Sequence, residues 1–468
     1  MCEHDTVHRL VAMPPLSAPM SRRRLLSILA AAATGSLAAR ALPAHAMERD
    51  QVWELARRGA RSHRMGNFTV RLHRSDGSPV RNTPVRARLK QHEFSFGMIF
   101  RPRHYNDDWY REQFLKLFNF VELLEFNWGQ YEPDEGKPLV DERHRFLREW
   151  CLPHGIDRFY GHMLVWTTQY GEYPKTNLPL WLFKYPPDRQ WQLLLHRIRR
   201  EVTDYSEFNM IWDVVNEPIH LRPWGKWEEP IRQAAPIPQI LPYVLESLRA
   251  ARQANPKATL LINEYRILAK NRWRDRLSQL LAALQKARAP LDMLGIQAHP
   301  YKARHWHPPE TIWGAFEHFG GHFRIPILIT EHCYTSSPDV PIGGTYRRGN
   351  WSADRQADAV EEFYRLAFGS PHVAGLVYFA MADDDAWRPG IGLFDVRRRP
   401  KPVWDRLNQL IKHEWTTELT TASNVDGLVQ FRGYYGTYRL DVGEGKERKT
   451  VAVKLNRGVP QPVPLVIA

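Results

Sequence analysis

Eight short apolar runs, separated by amphipathic helical stretches, constrain the fold of this chain more than any other feature. The runs fall at residues 94–99, 120–126, 159–166, 210–215, 259–263, 293–298, 327–330 and 375–379. Helical periodicity is read between them at 109–118, 189–205, 241–255, 276–287 and 354–368. Near-continuous apolar strands suit a parallel sheet covered on both faces. Eight strand–helix units in succession suit closure of that sheet into a barrel. An open doubly wound sheet would carry a glycine-rich phosphate loop after its first strand, and none is present. The expected fold is therefore α/β, a (β/α)8 TIM barrel over residues 91–415, with short β-rich extensions at both ends.

The flanks read differently. Residues 47–90 form an N-terminal extension. It alternates apolar and polar residues from Asn67, turns at Asp76-Gly77 and alternates again from Val85. Residues 416–468 are β-rich, with turns at Asp426-Gly427 and Gly443, and are expected to pair with 67–90. Ahead of both, Arg22, Arg23 and Arg24 precede an apolar stretch from Leu25 to Ala39 that is too short to span a bilayer. Ala44-His45-Ala46 supplies a small-x-small cleavage pattern. Residues 1–46 thus read as a twin-arginine-type bacterial export signal cut after Ala46, with 1–19 an over-extended start.

Composition excludes several classes. A 43% hydrophobic and 25% charged chain is neither a disordered tail nor a rod. Three cysteines in 468 residues do not make a disulfide scaffold. The net charge of +14 and the triplet Arg397 to Arg399 would suit a polyanion, but no nucleic-acid recognition motif accompanies them. Acidic substituents on a polysaccharide, or solubility alone, account for the charge better.

Barrel enzymes carry their chemistry at the C-terminal ends of strands. The run ends here supply Trp166, Asn216 with Glu217, Glu264, Gln297 with His299, Glu331 and Asp383. Glu217 and Glu331 stand out, because two carboxyls across a glycosidic bond are the minimum apparatus for its hydrolysis. One stays protonated as general acid, and the other stays ionised. Rim carboxylates in plain salt bridges would look the same, so the flanking residues decide.

Those residues are WDVVNEP at 212–218, GHMLVW at 161–166, GIQAH at 295–299 and ITE at 329–331. They resemble the signature segments of glycoside hydrolase family 10, the retaining endo-β-1,4-xylanases. Weaker echoes are FSFG at 94–97, Trp128 with Glu132-Pro133, NEY at 263–265, Asp383 with Trp387, LFD at 393–395 and PKP at 400–402. The resemblance covers roughly residues 90–412. It implies Glu217 as catalytic acid/base, Glu331 as nucleophile, Asn216 on the sugar 2-hydroxyl and His299 orienting the nucleophile. It further implies His162, Gln297, Trp166, Trp387, Asn127, Thr167 and Trp128 at the substrate.

The chain also departs from the family. The typical Glu-Asn-x-x-Lys-Trp segment is replaced, so that Leu123, Leu124 and Asn127 stand where xylose-gripping groups are expected. Thr167 replaces a second sugar-binding histidine, Phe379 a tryptophan, and Cys333 an aspartate that backs the orienting histidine. The reading is a kept catalytic machine with a remodelled glycone pocket. Xylan is the expected substrate, and another β-glycan or a non-catalytic carbohydrate-binding role is the alternative. Trp224, Trp227 and Trp306, on rim loops, are expected to touch sugar. His305, Trp306 and His307 read as a solvated loop, not metal ligands. Cys333 reads as a buried small hydrophobe. No metal, cofactor, nucleic acid or membrane partner is expected after signal cleavage, and the chain is expected as a monomer.

Overall fold

A computed structural model of the chain describes residues 48–167, 177–220, 235–300, 302–445 and 448–467. The expected export signal, Trp224 and Trp227 lie outside these residues. The eight apolar runs all become strands: β3 (Ser95–Phe100), β4 (Phe120–Leu123), β5 (Phe159–Gly161), β6 (Met210–Asn216), β7 (Thr259–Tyr265), β8 (Met293–Gln297), β9 (Ile327–His332) and β10 (Val373–Tyr378). They pair in parallel in chain order, and β10 returns to β3 with Gly375 opposite Ser95, so the barrel closes. β3, β4, β5, β8 and β9 are buried at every residue, as a sheet covered on both faces requires.

Two runs overshoot their strands. The ladder ends at Leu123 and Gly161, where the expected runs continued to 126 and 166. The extra residues are apolar because they fold over the barrel mouth, as buried Leu124, Phe126, Leu164 and Val165 do. The expected helices are present within a few residues. The helix Arg272–Lys286 starts where Asn271 accepts bonds from the Trp273 and Arg274 amides. Ile237–Ala254 begins a turn earlier than expected because Pro238 sits in its first turn, where no amide donor is needed. Pro309–Phe316 was not among the expected helices.

The two extensions fold together. β1 (Met65–His73) pairs with β12 (Leu428–Tyr434) and β15 (Val463–Val466). β2 (Pro84–His92) pairs with β11 (Glu418–Ala422) and β13 (Gly436–Val442), which pairs with β14 (Lys449–Leu455). Phe68, Val70, Val85, Ala87, Val429 and Leu440 form a second core between these sheets. β2 runs directly into β3, which puts this β-sandwich beneath the starts of the barrel strands. A helix that was not expected, Arg49–Ser62, docks on the barrel helix Ala353–Gly369. No helix among the described residues is long and apolar enough to cross a membrane.

Candidate active site

Glu217 and Glu331 sit at the same mouth of the barrel. Glu217 follows β6 directly, with φ of 55°, a left-handed conformation that a side-chain-bearing residue adopts at a cost. Its amide donates to the Asn263 carbonyl at 2.7 Å, which holds the turn. Glu331 is the fifth residue of β9. Both carboxyl residues are 6% exposed, open to a ligand but largely out of water.

A chain of polar contacts joins them. Gln297 Nε2 donates to Glu217 Oε1 at 3.3 Å and to Asn216 Oδ1 at 3.1 Å. Gln297 Oε1 lies 3.2 Å from His299 Nε2, and the same nitrogen lies 3.5 Å from Glu331 Oε2. Asn263 Nδ2 donates to Asn216 Oδ1 at 3.0 Å. With its oxygen so engaged, the Asn216 amide can present its N–H groups to a ligand. Trp166 Nε1 donates to Glu217 Oε2 at 3.2 Å. Trp387 is 46% exposed and meets the His299 ring edge-on at 5.2 Å, so its indole is open to the mouth.

Burial and neighbouring charge act on the Glu217 carboxyl. Burial pushes Glu217 well above the usual carboxylate range, and the charges of Glu264 and Glu331 add to it. A carboxyl held protonated is what a general acid requires. Glu264 is fully buried and ligated by the Ile219 and Tyr265 amides and by His220.

Several contributors escaped the sequence reading. Asp213 Oδ2 accepts from His162 Nδ1 at 2.9 Å, and His162 Nε2 stands 3.8 Å from Glu331 Oε1. Tyr160 reaches the same aspartate at 3.3 Å. Burial raises Asp213 to about 6 despite these bonds. The signal was alternation: Trp212 packs outward on Phe126 and Tyr205, so Asp213 must face the barrel interior. Glu122, in register with Tyr160 across β4 and β5, is fully buried with neither oxygen bonded.

Other expected residues fare differently. Thr167 is buried and bonds with Tyr243. Asn127 is 6% exposed and begins the turn Trp128–Tyr131. Trp128 is a correction. It is 2% exposed, donates to Glu132 at 2.8 Å and packs against Trp181, so it braces the loop instead of walling the pocket. Trp306 is another. It is 2% exposed, stacks on Trp351, lies under Arg347 and donates to Glu362, because its loop folds back over the outer helices. His305 and His307 beside it are half-buried, not solvated. No metal-binding cluster of His, Cys, Asp and Glu occurs among the described residues. Cys333 is buried and its thiol is pushed up to about 12, which makes it inert packing.

Comparison with known proteins agrees with this geometry. Residues 85–410 match the model of glycosyl hydrolase family 10. The chain is 26% identical over 397 residues to anti-sigma-I factor RsgI6 of Acetivibrio thermocellus, covering 84% of this chain and 47% of that protein. It thus spans about half the length of that relative. It is 24% identical over 300 residues to endo-1,4-beta-xylanase B of Thermotoga neapolitana, covering 62% of this chain and 79% of that one. Among solved structures, a GH10 protein from Paenibacillus barcinonensis superposes with TM-score 0.55 at 21% identity, over 68% of this chain and 95% of that chain. Xylanase 10B of Thermotoga petrophila, in complex with xylobiose, gives 0.54 at 20%, over 69% and 95%.

Proposed function

Since the chain belongs to glycosyl hydrolase family 10, we propose that it is a retaining glycoside hydrolase that cleaves β-1,4 linkages of xylan. The observation that carries this reading is the contact chain from Glu217 through Gln297 and His299 to Glu331, with burial raising the Glu217 pKa. In the first step a Glu331 oxygen attacks the anomeric carbon while Glu217 gives its proton to the departing sugar oxygen. The glycosidic bond breaks and an ester to Glu331 forms. In the second step Glu217, now ionised, takes a proton from water as that water attacks the same carbon. The ester breaks and the anomeric configuration is retained. Asn216 offers N–H groups to the sugar 2-hydroxyl, His299 and His162 hold Glu331, and Trp166 and Trp387 wall the cleft. The enzyme acts as an exported monomer, with residues 1–46 as its address, and needs no cofactor.

One observation favours a second substrate. Leu123 and Leu124 are buried at positions where the family grips xylose, so they offer no hydrogen bond to sugar. A different β-glycan in the glycone subsites suits them. The deciding experiment incubates the purified chain with glucuronoxylan, arabinoxylan, mannan and mixed-linkage glucan, with Glu331→Ala as control. Xylooligosaccharides in the mass spectrum that vanish in the control support xylan. Products from another glycan alone move the substrate but keep the mechanism. Binding without any product supports a carbohydrate-binding role.

A further inference from the structure

A second polar cavity lies at the opposite end of the barrel from Glu217 and Glu331. It is an open pocket of about 280 Å³ between the starts of β3, β9 and β10 and the β-sandwich. Its polar lining is Arg64, His92, Glu93, Arg158, His372 and Arg457. Three guanidiniums therefore face one carboxylate.

None of the three arginines forms a salt bridge among the described residues. Each instead staples backbone carbonyls with part of its fork. Arg64 Nε donates to Phe368 at 2.7 Å, and its Nη2 to Ser370 at 2.6 Å and Val373 at 2.7 Å. Arg158 Nη1 donates to Glu93 O at 2.7 Å. Arg457 Nη2 donates to His63 O, and its amide donates to the Glu93 carboxylate at 3.1 Å. Arg64 Nη1, Arg158 Nε and Arg457 Nη1 carry no hydrogen bond among the described residues. The histidines add no counter-charge. His92 is buried with Nε2 unbonded and pushed down to about 3, burial being the main cause.

Positive charge in this pocket is already under pressure. Burial, and then the like charge of Arg457, hold Arg64 below its usual range, and burial does the same to Arg158. Partly buried cations such as Arg64 and Arg158 carry a desolvation cost that a bound anion would offset. Guanidinium forks with spare N–H groups match the oxygens of tetrahedral oxyanions. The ring is also assembled from distant pieces: Arg64 before β1, Arg158 before β5 and Arg457 after β14. A bound oxyanion would tie the sandwich to the barrel floor.

We propose that this cavity is an oxyanion site, of phosphate or sulfate type, that clamps the β-sandwich to the base of the barrel. The test is thermal unfolding of the full chain in millimolar sodium phosphate, sodium sulfate or sodium glucuronate, against sodium chloride at matched ionic strength. Phosphate or sulfate is expected to give a saturable rise of about 2–4 °C. Arg457→Gln, at an exposed position, is expected to weaken half-saturation by about tenfold, and Arg158→Gln to do the same. Glu331→Ala keeps the full effect, which separates this site from the cleft and from the fate of the hydrolase reading. A rise matched by chloride, or one unchanged in Arg457→Gln, overturns the proposal, because it would reflect general salting effects. A response to glucuronate alone overturns the phosphate assignment.

Discussion

His299 Nε2 lies 3.5 Å from Glu331 Oε2, while its Nδ1 is buried without a partner. In the proposed mechanism this ring nitrogen, which also reaches Gln297 Oε1, shares with His162 the holding of the nucleophile. Replacing His299 with Asn is expected to lower kcat by about 10²-fold with a small change in KM, as misaiming a reacting group does. Cys333→Ala is expected to leave kcat within about threefold, and iodoacetamide at pH 8 to leave activity intact, because the thiol is buried and stays protonated. Steady-state kinetics on the two variants check this.

In the proposed mechanism Glu217 acts as an acid only while protonated. Burial first, and then Glu264 and Glu331, raise its pKa, so activity is expected to persist to higher pH than an ordinary carboxyl would allow. Activity falls as pH rises through that raised value. Glu264→Gln removes one of the negative charges and is expected to move this basic limb toward lower pH. Glu217→Gln is expected to cost about 10²–10⁴-fold on xylan and to abolish the limb. Profiles of kcat/KM from pH 4 to 9 decide it.

Glu122 gives a stability prediction with a definite sign. Its folded pKa lies well above the usual glutamate range, from burial first and then from Glu331 and Asp213, with Arg101 opposing. The folded state therefore holds a proton that the unfolded state releases above about pH 4.5. The stability this contributes is complete below that pH and is lost as pH rises toward the folded value, at about 1.4 kcal/mol per unit. Glu122→Gln cannot ionise. Its melting temperature is expected to gain on the wild type progressively from pH 5 to 8. A constant difference across that range would show that Glu122 does not titrate in this way.

Gly59 and Gly369 set how closely two helices approach. A Cβ on Gly59 would lie 2.0 Å from the Gly369 carbonyl oxygen, and one on Gly369 would lie 2.3 Å from that of Ala56. Both obstacles are backbone, which cannot swing aside. Gly59→Ala is expected to destabilise the chain by about 1–3 kcal/mol through overpacking. A urea midpoint lower than that of a control such as Gly343→Ala, where an added Cβ meets nothing closer than 3.6 Å, would register it.

The candidate carboxylates Glu217 and Glu331 were legible because each ends an apolar run, and strand ends in such a barrel converge on one mouth. The floor beneath them was not. Asp213, Glu122 and Tyr160 sit inside the runs, where a polar letter reads as a blemish in a strand. Only the inward alternation of the closed sheet turns them into neighbours. Trp128 and Trp306 failed for the converse reason. Composition marks a tryptophan as able to stack on sugar, but whether its face is free depends on Trp181 in one case and on Trp351 and Arg347 in the other.

By itself the sequence determined the eight-strand order, the strand ends that carry Glu217 and Glu331, and the β character of both flanks. All of these follow from local apolar periodicity, which a short stretch of chain expresses without its distant neighbours. Tertiary structure alone decided the raised pKa of Glu217, the links of Glu331 to His162 and His299, and the arginine-lined cavity below the barrel. Each depends on burial and on charges brought close from far along the chain. The local pattern of residues carries neither quantity.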